Sequence, residues 1–212
     1  MGILKPQGRK VLIENVIKGL SERNMEGFYA ENKEEALAIA KKLLSGVKSV
    51  GMGGSVTADE IGLVTELKNG DYGFIDRDKC KSPEEIREAT FKMYAADAFI
   101  GSVNAMTSDG VLINIDGNSN RVSAYAYGPK KVILIVGVQK IMPDVDSAMK
   151  RARNFAAPIN CTRLNRQTPC VKTGKCMNCK SPDTICCQFL ITRYSRHNDR
   201  IKVILVNEEV GF

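Results

Sequence analysis

Between positions 97 and 143 the chain alternates strongly apolar runs with dense polar punctuation, and few architectures accommodate that pattern. The runs Ala98-Phe99-Ile100, Val111-Leu112-Ile113 and Val132-Ile133-Leu134-Ile135-Val136 have the composition of buried strands. Ser102, Asn104, Thr107, Ser108, Asp109, Asn114, Asp116, Asn118, Asn120, Arg121 and Lys140 crowd around them. Asn, Asp and Gly are poor inside strands and good at their ends. The block therefore predicts a polar crevice at the rim of a buried sheet, where open α/β sheets bind ligands.

The rest of the chain supplies helices to cover such a sheet. Residues 9–23 carry Ile13, Val16, Ile17 and Leu20 at helical spacing, within an N-terminal helical segment of about 1–27. Asn32 followed by Glu35 opens a second helix, with Ala36, Ile39, Ala40 and Leu43 on one face and Gly46 as its stop. Ser82-Pro83-Glu84-Glu85 combines an N-cap, a first-position Pro and a capping-box Glu. Asp144 caps a further helix with Val145, Ala148, Met149, Ala152 and Phe155 facing inward, ended by Pro158. Short strands are expected at 28–30, 49–52, 71–75 and 201–206. Helices alternating with strands over the first hundred residues predict an α/β fold with a Rossmann-like, mostly parallel sheet flanked by helices. The central section, with its Asp109-Gly110 hairpin signal and an Asp116-Gly117-Asn118 turn, is expected to be antiparallel. The 212 residues suit a single domain, 1–212, with a cysteine-rich C-terminal insertion at 161–187.

Composition narrows the function classes. The net charge of +7 favours anionic ligands, yet no block of consecutive basic residues marks a nucleic-acid surface, and at 6% aromatic content with no Trp no base-stacking platform is evident. No apolar run approaches the ~20 residues of a membrane span. The start, Met1-Gly2-Ile3-Leu4-Lys5-Pro6, lacks a signal-peptide pattern and has Pro6 where a myristoylation motif needs Ser or Thr, so a cytoplasmic location is expected. Seven cysteines without a secretion signal argue against a disulfide framework.

Gly51-Met52-Gly53-Gly54-Ser55 turns from a strand into a helix near Thr57. Glycines let a backbone approach a ligand, the amides of a following helix attract an anion, and Ser55 and Thr57 add hydroxyls. A tight structural turn is an equal reading. No NAD fingerprint is present, because Val56 stands where the last Gly is needed, and no Gly-Lys-Ser/Thr follows for a triphosphate loop. Glu60, one turn on, is a candidate catalytic carboxylate, against the plain alternative of a solvated helix residue. Asp109 and Asp116 are read individually as turn formers. Arg121 and Lys140 could hold a carboxylate or phosphate, Arg121 in bidentate fashion.

At these residues the chain resembles the LUD-domain family of lactate-utilisation proteins. The resemblance rests on Gly53-Gly54-Ser55 with Thr57 and Glu60, on 96–110, on Asn114-Ile115-Asp116-Gly117 with Asn120-Arg121-Val122, and on Gly128-Pro129-Lys130. It continues through Gly137 with Lys140-Ile141, and Arg153 with Ala156-Ala157-Pro158, into the cysteines. It implies a fold similar to ribose-5-phosphate isomerase, glucosamine-6-phosphate deaminase and CoA transferases. It also implies a part in oxidising L-lactate to pyruvate alongside iron–sulfur partner proteins. The ligand set expected from both readings is Gly53, Gly54, Ser55, Thr57, Ser102, Asn104, Asp109, Asn120, Arg121 and Lys140 around a small anionic substrate, with Glu60 or Asp116 as general base. A homo-oligomer is compatible with the sequence. The only His, His197, lies beyond the cysteines, which gives no support to a His-based dehydrogenase.

Cys170, Cys176, Cys179 and Cys186 form a Cys-x5-Cys-x2-Cys-x6-Cys pattern. A Cys-x2-Cys unit brings two thiolates to one metal, and two more complete four-coordination, as zinc or an iron–sulfur cluster needs. Cys187 is an alternative fourth member, and unliganded thiols or a redox disulfide are the plainer readings. Lys172, Lys175 and Lys180 are expected to lower the thiol pKa values. The lactate link favours a [4Fe–4S] cluster over zinc. Cys80 and Cys161 read as buried apolar residues.

Overall fold

The computed structural model describes residues 6–212, so the expectations for the first five positions lie outside it. In chain order the first elements are α1 (Pro6–Glu22), β1 (Glu26–Ala30), α2 (Lys33–Leu43), β2 (Val50–Met52), α3 (Val56–Glu60), α4 (Leu63–Asn69) and α5 (Pro83–Tyr94). The central block follows as β3 (Ala98–Gly101), β4 (Ala105–Thr107), β5 (Leu112–Asp116), α6 (Asn120–Ala126), β6 (Lys131–Gly137) and β7 (Ile141–Met142). The chain then runs through α7 (Val145–Arg151), a π-helical turn (Ala152–Ala156), α8 (Ala157–Arg163), α9 (Pro169–Thr173), β8 (Gln188–Thr192) and β9 (Ile201–Val206).

Two sheets form. One is five-stranded and parallel throughout, in the order β1-β9-β6-β3-β2. The other, β7-β4-β5-β8, is mixed: β4 pairs antiparallel with β5, β5 antiparallel with β8, and β4 parallel with β7. Period-2 side-chain alternation divides the core. Val132, Leu134 and Val136 of β6 and Val203 and Leu205 of β9 pack with Ile13, Val16 and Leu20 of α1. Ile133, Ile135, Ile204 and Val206 face the other way, against Ala36 and Ala40 of α2 and Leu63 and Leu67 of α4. Burying each of the large aliphatic side chains stabilises the fold by about 1.5–3 kcal/mol before entropy. A third core, Ala105, Val111, Ile113 and Ile115 against Ala148 and Ala152, covers the far face of the mixed sheet.

The local signals act as expected at most ends. Asn32, Ser82 and Asp144 each accept the backbone N–H three residues on, capping α2, α5 and α7. Asp109-Gly110 makes the β4–β5 hairpin, with Gly110 at φ 93° and its amide donating to the Thr107 carbonyl. The Asp116-Gly117-Asn118 turn forms, as bends over 117–119, and leads into helix α6. Three expectations fail. Residues 71–75 form no strand, only a single bridge between Phe74 and Val50. Val145 and Phe155 do not face inward: Phe155 is 51% exposed, because the π-helical turn rotates the apolar stripe by the extra residue. Pro158 does not end that helix but sits in the first turn of α8, where its missing N–H is tolerated.

Candidate functional site

Three adjacent parallel strands, β6, β3 and β2, end on the same edge of the sheet. Their C-terminal loops bring together Gly53-Gly54-Ser55 after β2, Ser102–Asn104 after β3, and the 3₁₀ turn Val138–Lys140 after β6. These segments, with Thr57 and with Arg121 from α6, wall an inner cavity of about 70 Å³. Ser55, Thr57, Ser102, Asn104, Arg121 and Lys140 all line it. At about 15 Å³ per water, it has room for roughly five waters, the size of a small ligand.

Lys140 dominates its chemistry. The side chain is 2% exposed, and its Nζ donates to Thr57 Oγ1 at 2.9 Å and Ser102 Oγ at 3.0 Å. Those hydroxyls are themselves 3.3 Å apart. Among the described residues no carboxylate lies within ion-pair distance of it. Burial first, and then the Arg151 and Arg121 charges, bring the amine down to about 7, with Glu60 opposing them. Ser102 is held in turn by Tyr125, whose hydroxyl accepts its N–H at 3.2 Å and donates to its carbonyl at 3.0 Å.

Arg121 is placed at the cavity but works differently from a free clamp. Its Nη1 donates to the Ser102 carbonyl and Asn114 Oδ1, and its Nη2 to Asn104 Oδ1 and the Ile115 carbonyl. Asp116 stands 3.7 Å from its Nε. The guanidinium thus ties the ends of β3 and β5 together and lends the cavity its charge. Gly53 packs tightly beside it: a Cβ there would lie 3.3 Å from Arg121 Cγ and Cδ, so the side chain would have to shift by a few tenths of an ångström. Asp116 is equally committed. Its carboxylate accepts the N–H groups of Asn118, Ser119, Arg121 and Val122, capping α6 from three residues before the N-cap.

Outside this cavity two broader troughs of about 340 and 300 Å³ flank Gly53 and Gly54. Asp116 and Asn120 line the larger one. Arg163 and Arg77 line both troughs, and Arg166 the larger. Sequence reasoning missed these arginines and Asn160, which stand far from the motifs; Asn160 and Arg163, one helical turn apart on α8, were the available hint. Arg166 is paired with Asp183 at 3.0 Å. Glu60 and Asp109 line none of these spaces. Glu60 is exposed and accepts the Gly211 N–H at 2.7 Å. Asp109 pairs with Arg23 at the end of α1 and with Thr107, fixing the hairpin to that helix. The anion-attracting helix expected after Ser55 is only five residues long, and Ser55 caps it by accepting the Ala58 N–H at 3.2 Å.

The cysteines meet at a separate place. Cys170, Cys176, Cys179 and Cys186 line one pocket of about 80 Å³, and Cys161, buried on α8, lines it too. Cys187 is exposed and faces the Thr184 carbonyl. Cys80 is half-buried and remote from the pocket walls. Lys172, Lys175 and Lys180 are exposed; Cys186 goes against the expected lowering, burial pushing its thiol up to about 11, and burial also raises Cys161. The cation that reaches the thiols is Arg153, from the π-helical turn, 3.5 Å from Cys176 Sγ and 2.7 Å from Asn178 Oδ1. The Asn178 N–H adds a second donor to the same sulfur at 3.4 Å. Among the described residues no three thiol, imidazole or carboxylate groups lie close enough to share a single metal ion. Cys170, Cys176, Cys179 and Cys186 are the residues that would hold a thiolate-bound centre, with the Arg153 and Asn178 N–H groups as donors to the Cys176 sulfur.

The LUD domain profile matches residues 13–206, all but the ends of the chain. The chain belongs to the LUD domain family. The fold agrees with the crystal structure of a DUF162 family protein from Deinococcus radiodurans, with a TM-score of 0.52 and 16% identity over 93% of this chain and 98% of that one. At that identity the likeness speaks for the fold alone. No curated protein matches the chain. Among the described residues of this LUD domain no helix is long and apolar enough to cross a membrane.

Proposed function

We propose that this LUD domain takes part in oxidising L-lactate, or a related 2-hydroxy acid, to the 2-oxo acid, working with iron–sulfur partner proteins. The observation that carries the reading is the inner cavity. It is small, edged by hydroxyls and an amide, and contains a buried amine with, among the described residues, no carboxylate within ion-pair distance. A three-carbon carboxylate would occupy the available room, its charge met by Arg121 and Arg163 at the cavity wall and by the protonated fraction of the amine. Ser55, Thr57, Ser102 and Asn104 would hold its oxygens, and Arg121 would add positive potential. A [4Fe–4S] cluster at Cys170, Cys176, Cys179 and Cys186 would supply one-electron transfer when bound, with Arg153 and the Asn178 amide stabilising the charge on sulfur.

Thermal-shift measurements test the ligand class, since a ligand bound only by the native state raises its melting temperature. L-lactate and pyruvate are expected to raise the Tm, and Ser102→Ala to weaken the effect. A second reading, an isomerase or CoA-transferase-like enzyme, is favoured by the outer troughs, where Arg77 and Arg163 border space for a phosphate-bearing ligand. Stabilisation by sugar phosphates or acyl-CoAs alone would select that reading. For the thiol pocket, iron, sulfide and zinc analysis after anaerobic purification is expected to give iron with matching sulfide.

A further inference from the structure

Lys140 has a structural peculiarity that anion binding alone does not use. Its ammonium form would be desolvated, with two neutral hydroxyls as hydrogen-bond partners and two arginines nearby, an arrangement that favours the neutral amine. A neutral amine at the wall of a small polar cavity is a nucleophile for carbonyl carbon. We propose that Lys140 forms a Schiff base with a small 2-oxo acid bound in the inner cavity. The inference rests on the reading that this cavity holds the 2-hydroxy acid and 2-oxo acid pair, and it adds a covalent step at a named atom.

The step balances without an oxidant or reductant. The Nζ lone pair attacks the C2 carbonyl carbon, a C–N bond forms, and the π electrons move to oxygen, which takes a proton from the nitrogen to give the carbinolamine. The hydroxyls of Thr57 and Ser102 touch Nζ and can relay that proton. The remaining N–H proton passes to the carbinolamine hydroxyl through the same two hydroxyls, and the C–O bond breaks as the nitrogen electrons form the C=N bond, releasing water and leaving the neutral imine. Amine and ketone have become imine and water. The charged groups that set the amine's state are Arg151 from α7, Arg121 from α6 and Glu60 from α3, and Arg163 of α8 lines the same cavity. The amine's value of about 7 leaves about half of it free at neutral pH, where an exposed lysine is almost entirely protonated.

The test uses the whole chain with pyruvate and sodium cyanoborohydride, followed by digestion and mass-spectrometric mapping. The expected result is a reduced pyruvyl adduct at Lys140 in at least tenfold excess over exposed lysines such as Lys130, with a yield that rises through pH 7. Lys140→Arg is expected to abolish the adduct; should that variant not fold, the mapping of the unaltered protein decides by itself. Adducts confined to exposed lysines, or an unmodified Lys140 in protein that pyruvate stabilises against heat, would overturn the Schiff base while leaving the ligand class standing. Neither stabilisation nor adduct would end both.

Discussion

Arg121 shows how one residue can be foreseen correctly in place and differently in role. A cation among apolar strand ends suggests an anion clamp, yet its Nη atoms donate to oxygens from β5 and the loop after β3. Arg121→Ala leaves those partly buried acceptors unpaired and is expected to cost about 2–4 kcal/mol in urea unfolding. Arg121→Lys should recover little of that, since one ammonium cannot reproduce the planar fork. Lys140 makes the opposite prediction. Its folded value, about 7, lies below the ordinary 10.5, so between those limits the unfolded chain holds a proton that the folded chain lacks. Stability therefore rises with pH across that window, and below about 7 the whole penalty is present. Lys140→Met removes it. The variant should be more stable than the parent by roughly 1–3 kcal/mol at pH 6, and the gain should fade towards pH 10, as followed by thermal melts across pH.

The elements were legible where their signals are local. Asn32, Ser82 and Asp144 announce helices because the cap and the amide it accepts are three residues apart. The apolar alternation of β6 and β9 is similarly visible, as each strand presents two buried faces. What escaped was set by an unusual cap or by distant partners. Helix α6 has Ser119 at its N-cap with φ 64° and no side-chain cap there; Asp116 serves instead from the end of β5. Strand β8 is mostly exposed and exists through its pairing with β5, 72–80 residues earlier in the chain, as in Ile113 with Ile191. Replacing Asp116 by Ala should accordingly melt α6 locally, costing about 1–2 kcal/mol and loosening Arg121 with it. Amide hydrogen exchange, with protection lost over residues 120–126 first, is the check.

At the scale of the molecule, the cavity depends on strand ends contributed by widely separated segments, which is why its rim could be guessed from Gly53–Ser55, Ser102, Asn104 and Lys140 while Arg77 and Arg163 could not. The thiol pocket follows the same rule. The spacing of Cys170, Cys176 and Cys179 is visible in the sequence, whereas Cys161 joins them only because α8 turns its buried side towards the loop. Cys161→Ala is expected to lower the iron bound per chain if that thiol helps to hold the centre, and iron analysis beside Cys187→Ala, expected to be silent, reads the contrast. Strand β9 lies between β1 and β6, hydrogen-bonded to both along its length. During synthesis the sheet must therefore wait with a gap between β1 and β6 until residues 201–206 leave the ribosome. A product cut short before them would keep two sticky edges open, a natural target for chaperones and proteases.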